Sequence, residues 1–137
     1  MSARTKARKR ALDLLYGADL REISLNAAIA TEAARDLEDP KRSSSWHYAR
    51  QIVEGIAEHG DQIDELIETY AQGWTINRMP VIDRAIVRIG IWEVLFNDDV
   101  PDGVAISEAV EAAKSLSTGD SAGFVNGLLG RIAQTRS

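Results

Sequence analysis

Apolar residues recur at helical spacing along nearly the whole chain, and no segment sustains the two-residue alternation of a half-buried strand. Helices packed on helices satisfy that periodicity. Only three prolines interrupt 137 residues, which agrees with it. The predicted fold is all-α, six to seven helices in two small helical bundles sharing one core.

A first helix is predicted over about Arg4–Leu20, with Ala7, Ala11, Leu14, Leu15 and Ala18 inward and Arg4, Arg8 and their neighbours facing water. Ser24 or Asn26 caps a second, running through Ala27, Ala28, Ala33 and Ala34 to about Leu37 and stopped by Asp39–Pro40. Residues 41–45 (KRSSS) read as a loop and Ser45 as the cap of a long third helix reaching Ala71, with Gly60 a point of bend or break and Gly73 at the C-cap. Residues 74–79 connect to Pro80, in the first turn of a helix so apolar around its circumference (VIDRAIVRIGIWEVLF) that it should be the central element. After the turn-rich stretch 97–103 come a helix over about Val104–Leu116 and a last one capped by Asp120, with Phe124, Val125, Leu128, Leu129 and Ile132 along it. The tail after Ala133 is expected to fray. The whole chain, 1–137, reads as a single domain, an N-terminal helical half of about 1–72 and a C-terminal half of about 80–134 meeting at a seam over 72–79.

The net charge of −5 conceals an asymmetry. Residues 1–12 carry five basic groups and no acid, while the other 125 hold 11 basic and 21 acidic groups, a net of −10. Like charges at Arg4/Arg8 and Lys6/Arg10 repel along a helix, and cations sit badly at the positive end of its dipole. An anionic partner, with phosphate the obvious group, explains a pattern that works against stability twice. The absence of cysteine excludes disulfides, thiolate–metal sites and thiol nucleophiles, and His47 and His59 alone do not make a histidine-rich metal site. No phosphate-loop, dinucleotide, zincin or nucleophile-elbow motif occurs, so the chain reads as non-catalytic, with no metal and no cofactor. No stretch approaches the roughly 18 to 20 apolar residues of a membrane span, and the acids in ALDLLYGADLRE rule out a secretory segment after the basic start; a cytoplasmic location without membrane attachment is expected.

Phosphate contacts give affinity, whereas base preference in RNA needs groups that stack on or bond to unpaired bases. Tyr16, opposite the apolar stripe of its helix, and Phe124 are the aromatic candidates. Asp120, Ser121, Ala122 and Gly123 before Phe124 form a small, open helix entry suited to a phosphate.

Four blocks carry a resemblance over nearly the full length: ARKRALDLLYGADL, VIDRAIVRIGIWEVLF, VAISEAVEAAKSLS and, most specific, DSAGFVNGLLGRI. The chain resembles the NusB family of bacterial transcription antitermination factors. The resemblance implies an all-α fold of two helical subdomains that binds the boxA element of nascent ribosomal RNA with a small-subunit ribosomal protein (NusE). The assembly then joins the RNA polymerase antitermination complex and suppresses premature termination in ribosomal RNA operons. It implies RNA contacts from Arg4, Lys6, Arg8, Lys9 and Arg10, with Lys114 a further phosphate contact. Tyr16 and Asp83 match positions supporting the protein interface, and Phe124, with Asp120 and Ser121, matches a patch where RNA and protein surfaces meet. The arm TKARKR is less arginine-dense than in some members, nothing transfers to Pro40–Ser45, and self-association into a homodimer stays open. An acidic chain with one cationic arm should bind RNA weakly alone and gain from a basic partner. Two rivals remain: a detached RNA-recognition module of an rRNA methyltransferase, and a helical adaptor that binds only protein.

Overall fold

The computed structural model describes residues 2–39, 41 and 43–136, with Ser43 described by its backbone alone. Among these residues the regular structure is helical: α1 (Ala3–Arg21), α2 (Leu25–Glu38), α3 (Ser43–Glu58), α4 (Gly60–Tyr70), a 3-10 turn (Ile76–Arg78), α5 (Val81–Phe96), α6 (Asp102–Leu116) and α7 (Gly119–Gln134). The all-α expectation holds. Two compact units result, Met1–Glu58 with α1 to α3 and His59–Ser137 with α4 to α7. The division falls at Glu58/His59 rather than at the expected seam over 72–79. The cause is Gly60: the long third helix breaks there, and its second part, α4, packs with α5 and α7.

In the first unit α1 packs chiefly on α3. Ser2 caps α1 by accepting from the Thr5 N–H at 3.0 Å, and Glu22 ends it in the left-handed region at φ 56°. Ala7, Ala11, Leu12, Leu15 and Ala18 are buried, so the inward stripe is close to the expected one, with Leu12 added and Leu14 half-buried. Ser24 caps α2 through the Ala27 N–H at 3.1 Å. Of the alanines along α2, Ala27 and Ala34 are exposed and Ala28 and Ala33 half-buried, and Ile29 is its one buried residue. α3 begins at Ser43, so residues 43–45 are helix rather than loop. The Ser45 hydroxyl accepts from Arg10 Nη1 at 3.1 Å. Pro40 and Arg42, in the segment expected to be a loop, lie outside the described residues.

In the second unit α5 is central as expected, with Ala85, Ile86, Val87, Ile89, Ile91 and Val94 all buried. α7 crosses it so closely at Gly90 that a Cβ there would lie 2.6 Å from Leu129 Cδ1. Arg88 grips Asp64 of α4 through two bonds of 3.0 and 3.1 Å, and Arg131 Nε donates to the Tyr70 carbonyl at 3.1 Å. The link from α4 to α5 turns through Gln72 (φ 48°) and Gly73 (φ 95°), a left-handed pair that glycine makes accessible. The expected fraying after Ala133 does not occur up to Arg136, which donates to the Val94 carbonyl and pairs with Asp102 at 3.1 Å.

Candidate nucleic-acid interface

The basic arm is not one surface. Helical spacing divides its five cations among different faces of α1. Arg4 and Lys6 are exposed, and among the described residues neither is in an ion pair. Lys9 is exposed and meets Asp13, one turn on, at 2.8 Å, a contact of little weight at such exposure. Arg8 is only 9% exposed, its guanidinium carbon 5.9 Å from the centre of the Tyr48 ring, so the expectation that it faces water is corrected. Its neighbours Ala7 and Leu12 are core residues, and that stripe takes Arg8 inward with it.

Arg10 is likewise committed inside the protein. It donates to Glu32 at 2.8 Å and to Ser45 at 3.1 Å, approaches Asp36 at 3.5 Å, and lies over the Trp46 ring at 5.0 Å. One planar guanidinium thereby ties α2 and α3 to α1. Glu32 and Asp36, spaced i,i+4 on an alanine-rich helix with little apolar face, were the available sequence signal. Tyr16 is exposed, as its place opposite the apolar stripe requires, and Leu20, one turn on, is exposed beside it.

In the second unit the expected sites gather around the turn between α6 and α7 and separate into inside and outside. Asp83, 4% exposed in the first turn of α5, accepts from Ser117 Oγ at 2.5 Å and from Ser121 Oγ at 2.8 Å. Ser121, 5% exposed, also lies 3.1 Å from Thr118 Oγ1. The expected surface roles of Asp83 and Ser121 are therefore corrected: both belong to an internal clasp that fixes the start of α7 on α5, because a buried carboxylate needs such donors. Thr118, not Asp120, is the N-cap residue of α7; Asp120 follows in its first turn, exposed at the positive end of the helix dipole. Lys114 is exposed, 3.4 Å from Glu111.

Phe124 is half-buried, and its ring centre lies 5.8 Å from that of Trp74, tilted by 45°. Trp74 is 48% exposed, whereas Trp46 and Trp92 are buried. The sequence reading passed over it as part of a connection; a tryptophan outside any apolar periodicity, following a glycine, was the signal. Among the described residues no group of three or more histidine or acidic side chains is placed to hold a metal ion. No described helix is long and apolar enough to cross a membrane.

Helices throughout the described residues, exposed cations along α1 and an aromatic pair formed by Trp74 and Phe124 define an all-α binding protein. A family model for the NusB family matches residues 5–134, and the chain belongs to that family of transcription antitermination proteins. It is 69% identical over 136 residues to the transcription antitermination protein NusB of Leifsonia xyli subsp. xyli (strain CTCB07), covering 99% of this chain and 94% of that one. Identity to the Clavibacter sepedonicus protein of the same name is 64% over the full length of both. Among solved structures, T. maritima NusB superposes with a TM-score of 0.82 at 34% identity, covering 96% of this chain and 90% of that one. NusB from the structure of antitermination factors NusB and NusE in complex with dsRNA gives 0.82 at 26% identity, covering 98% of each chain. The family agrees with the reading of a binding protein rather than an enzyme.

Proposed function

We propose that this chain is a cytoplasmic antitermination factor that binds boxA-type single-stranded RNA jointly with the ribosomal protein NusE. In that assembly it helps RNA polymerase read through terminators in ribosomal RNA operons. The whole chain acts as one RNA-binding domain. The observation that carries the reading is the exposure of Arg4 and Lys6, neither in an ion pair among the described residues, on a chain whose net charge is −5. A solved structure of a similar chain, with NusE and dsRNA, supports NusE and RNA as the classes of partner.

In this reading Arg4, Lys6 and Lys9 supply the phosphate contacts, Arg8 reaches RNA only along its exposed edge, and Arg10 sets the geometry of the arm from inside. Tyr16 contributes to the protein interface. Phe124, with Trp74 and Asp120, forms the second contact surface, and Lys114 adds a phosphate contact. Asp83 and Ser121 act indirectly by holding α7 in place. Three exposed cations neutralise few phosphates, so affinity for RNA alone is low, and a basic partner drawn to the acidic chain adds a second grip. Electrophoretic titration of a boxA-type oligonucleotide with and without NusE tests this. Markedly tighter binding with NusE is expected; equal affinity in both series refutes joint recognition.

A further inference from the structure

Tyr48 has no role in the proposed function, yet two arginines converge on it. The guanidinium carbon of Arg4 lies 4.7 Å from the centre of its ring and that of Arg8 5.9 Å. The arginines sit one turn apart on α1, where like charges repel, while Tyr48 comes from α3 and is 7% exposed. A buried ring is a fixed object, and its electron-rich face attracts cations within about 6 Å of its centre. Arg4 is itself exposed and in no ion pair among the described residues, so its charge is not consumed by a carboxylate. A guanidinium stacked on a ring gives up rotamer freedom before any ligand arrives, and keeps in-plane N–H donors for the paired oxygens of a phosphodiester.

The geometry points to Tyr48 as a positioning residue that holds Arg4, beside Arg8, as a preformed clamp for an RNA phosphodiester. This rests on the arm-to-RNA reading and names the group that organises it. Ordering Arg4 in advance removes part of the entropy otherwise lost on binding, so removing the ring weakens affinity without removing a charge.

The test is a double-mutant cycle on the full chain with NusE and a boxA-type RNA oligonucleotide. Tyr48→Leu is expected to weaken binding by about threefold to tenfold. Arg4→Ala placed in that background adds less than it does in the wild type, a coupling that general destabilisation does not produce. Tyr48→Phe, which keeps the ring, stays within about twofold of wild type. Wild-type affinity in Tyr48→Leu, with Arg4→Ala still damaging, overturns the role of the ring and leaves the arm reading standing. Unchanged affinity in Arg4→Ala and Lys6→Ala overturns both. If Tyr48→Leu does not fold, the NMR spectrum of the free wild-type protein decides. Ring-current displacement of the Arg4 side-chain protons supports the stack, and random-coil positions overturn it.

Discussion

Arg10 and Arg4 lie in the same basic arm, and their replacement by alanine is expected to give opposite phenotypes. Arg10 donates charge-assisted hydrogen bonds to Glu32 at 2.8 Å and to Ser45 at 3.1 Å, and stacks over Trp46. A hydrogen bond to a charged group contributes about 1.5–3 kcal/mol and a partly desolvated cation–π contact about 1 kcal/mol. Removing Arg10 also leaves the nearly buried carboxylates of Glu32 and Asp36 one turn apart without the cation between them. Allowing for solvent at the edge of the site, Arg10→Ala destabilises the protein by about 2–4 kcal/mol, or roughly 8–16 °C in melting temperature for a chain of this size. Arg4→Ala, on an exposed side chain, stays within about 1 kcal/mol. Thermal melts followed by circular dichroism, with RNA titration of both variants below their melting range, separate the two. An Arg10→Ala protein that melts like wild type while losing RNA affinity refutes the assignment of Arg10 to the interior.

Arg4→Ala and Lys6→Ala should each flatten the slope of log K against log salt by up to ~0.7 for single-stranded RNA; an unchanged slope removes that residue from the phosphate contacts. Asp83→Lys puts a cation in place of a carboxylate that two serine hydroxyls serve, so a loss of several kcal/mol, on the order of 3–5, is expected in urea unfolding; an unaltered midpoint returns Asp83 to the surface list. Gly90→Ala should destabilise by about 1–3 kcal/mol by pressing on Leu129, outweighing alanine's better helix propensity; a more stable variant shows that the crossing yields. Trp74→Ala should fold normally, abolish most acrylamide-accessible tryptophan fluorescence and weaken assembly with NusE and RNA; intact assembly takes the aromatic pair out of the interface.

The helices could be read from periodicity because core residues repeat on one face whatever they pack against. The centrality of α5 followed from its apolar circumference, whereas the cap of α2 was open between Ser24 and Asn26 and is Ser24. Position along the chain says less about which way a polar side chain turns. Arg8 and Arg4 differ only by one turn of helix, yet one packs among core residues and the other stands in water. Asp83 and Ser121 are 38 residues apart, and their pairing depends on how α5 and α7 cross. Trp74 belongs to no helical periodicity, because it stands just beyond a left-handed turn, and its exposure depends on that turn rather than on a helix face.

α2 buries one side chain, Ile29, leaves Leu37 almost wholly in solvent, and relies on a guanidinium from a neighbouring helix for much of its attachment. A segment held that way opens sub-globally, at a free energy well below that of complete unfolding. Trypsin cleavage at Arg35, exposed within α2, would consequently report the detachment of a single helix. The proteolytic lifetime of this chain is then set by its most thinly fastened part, while the melting temperature reports on the cores.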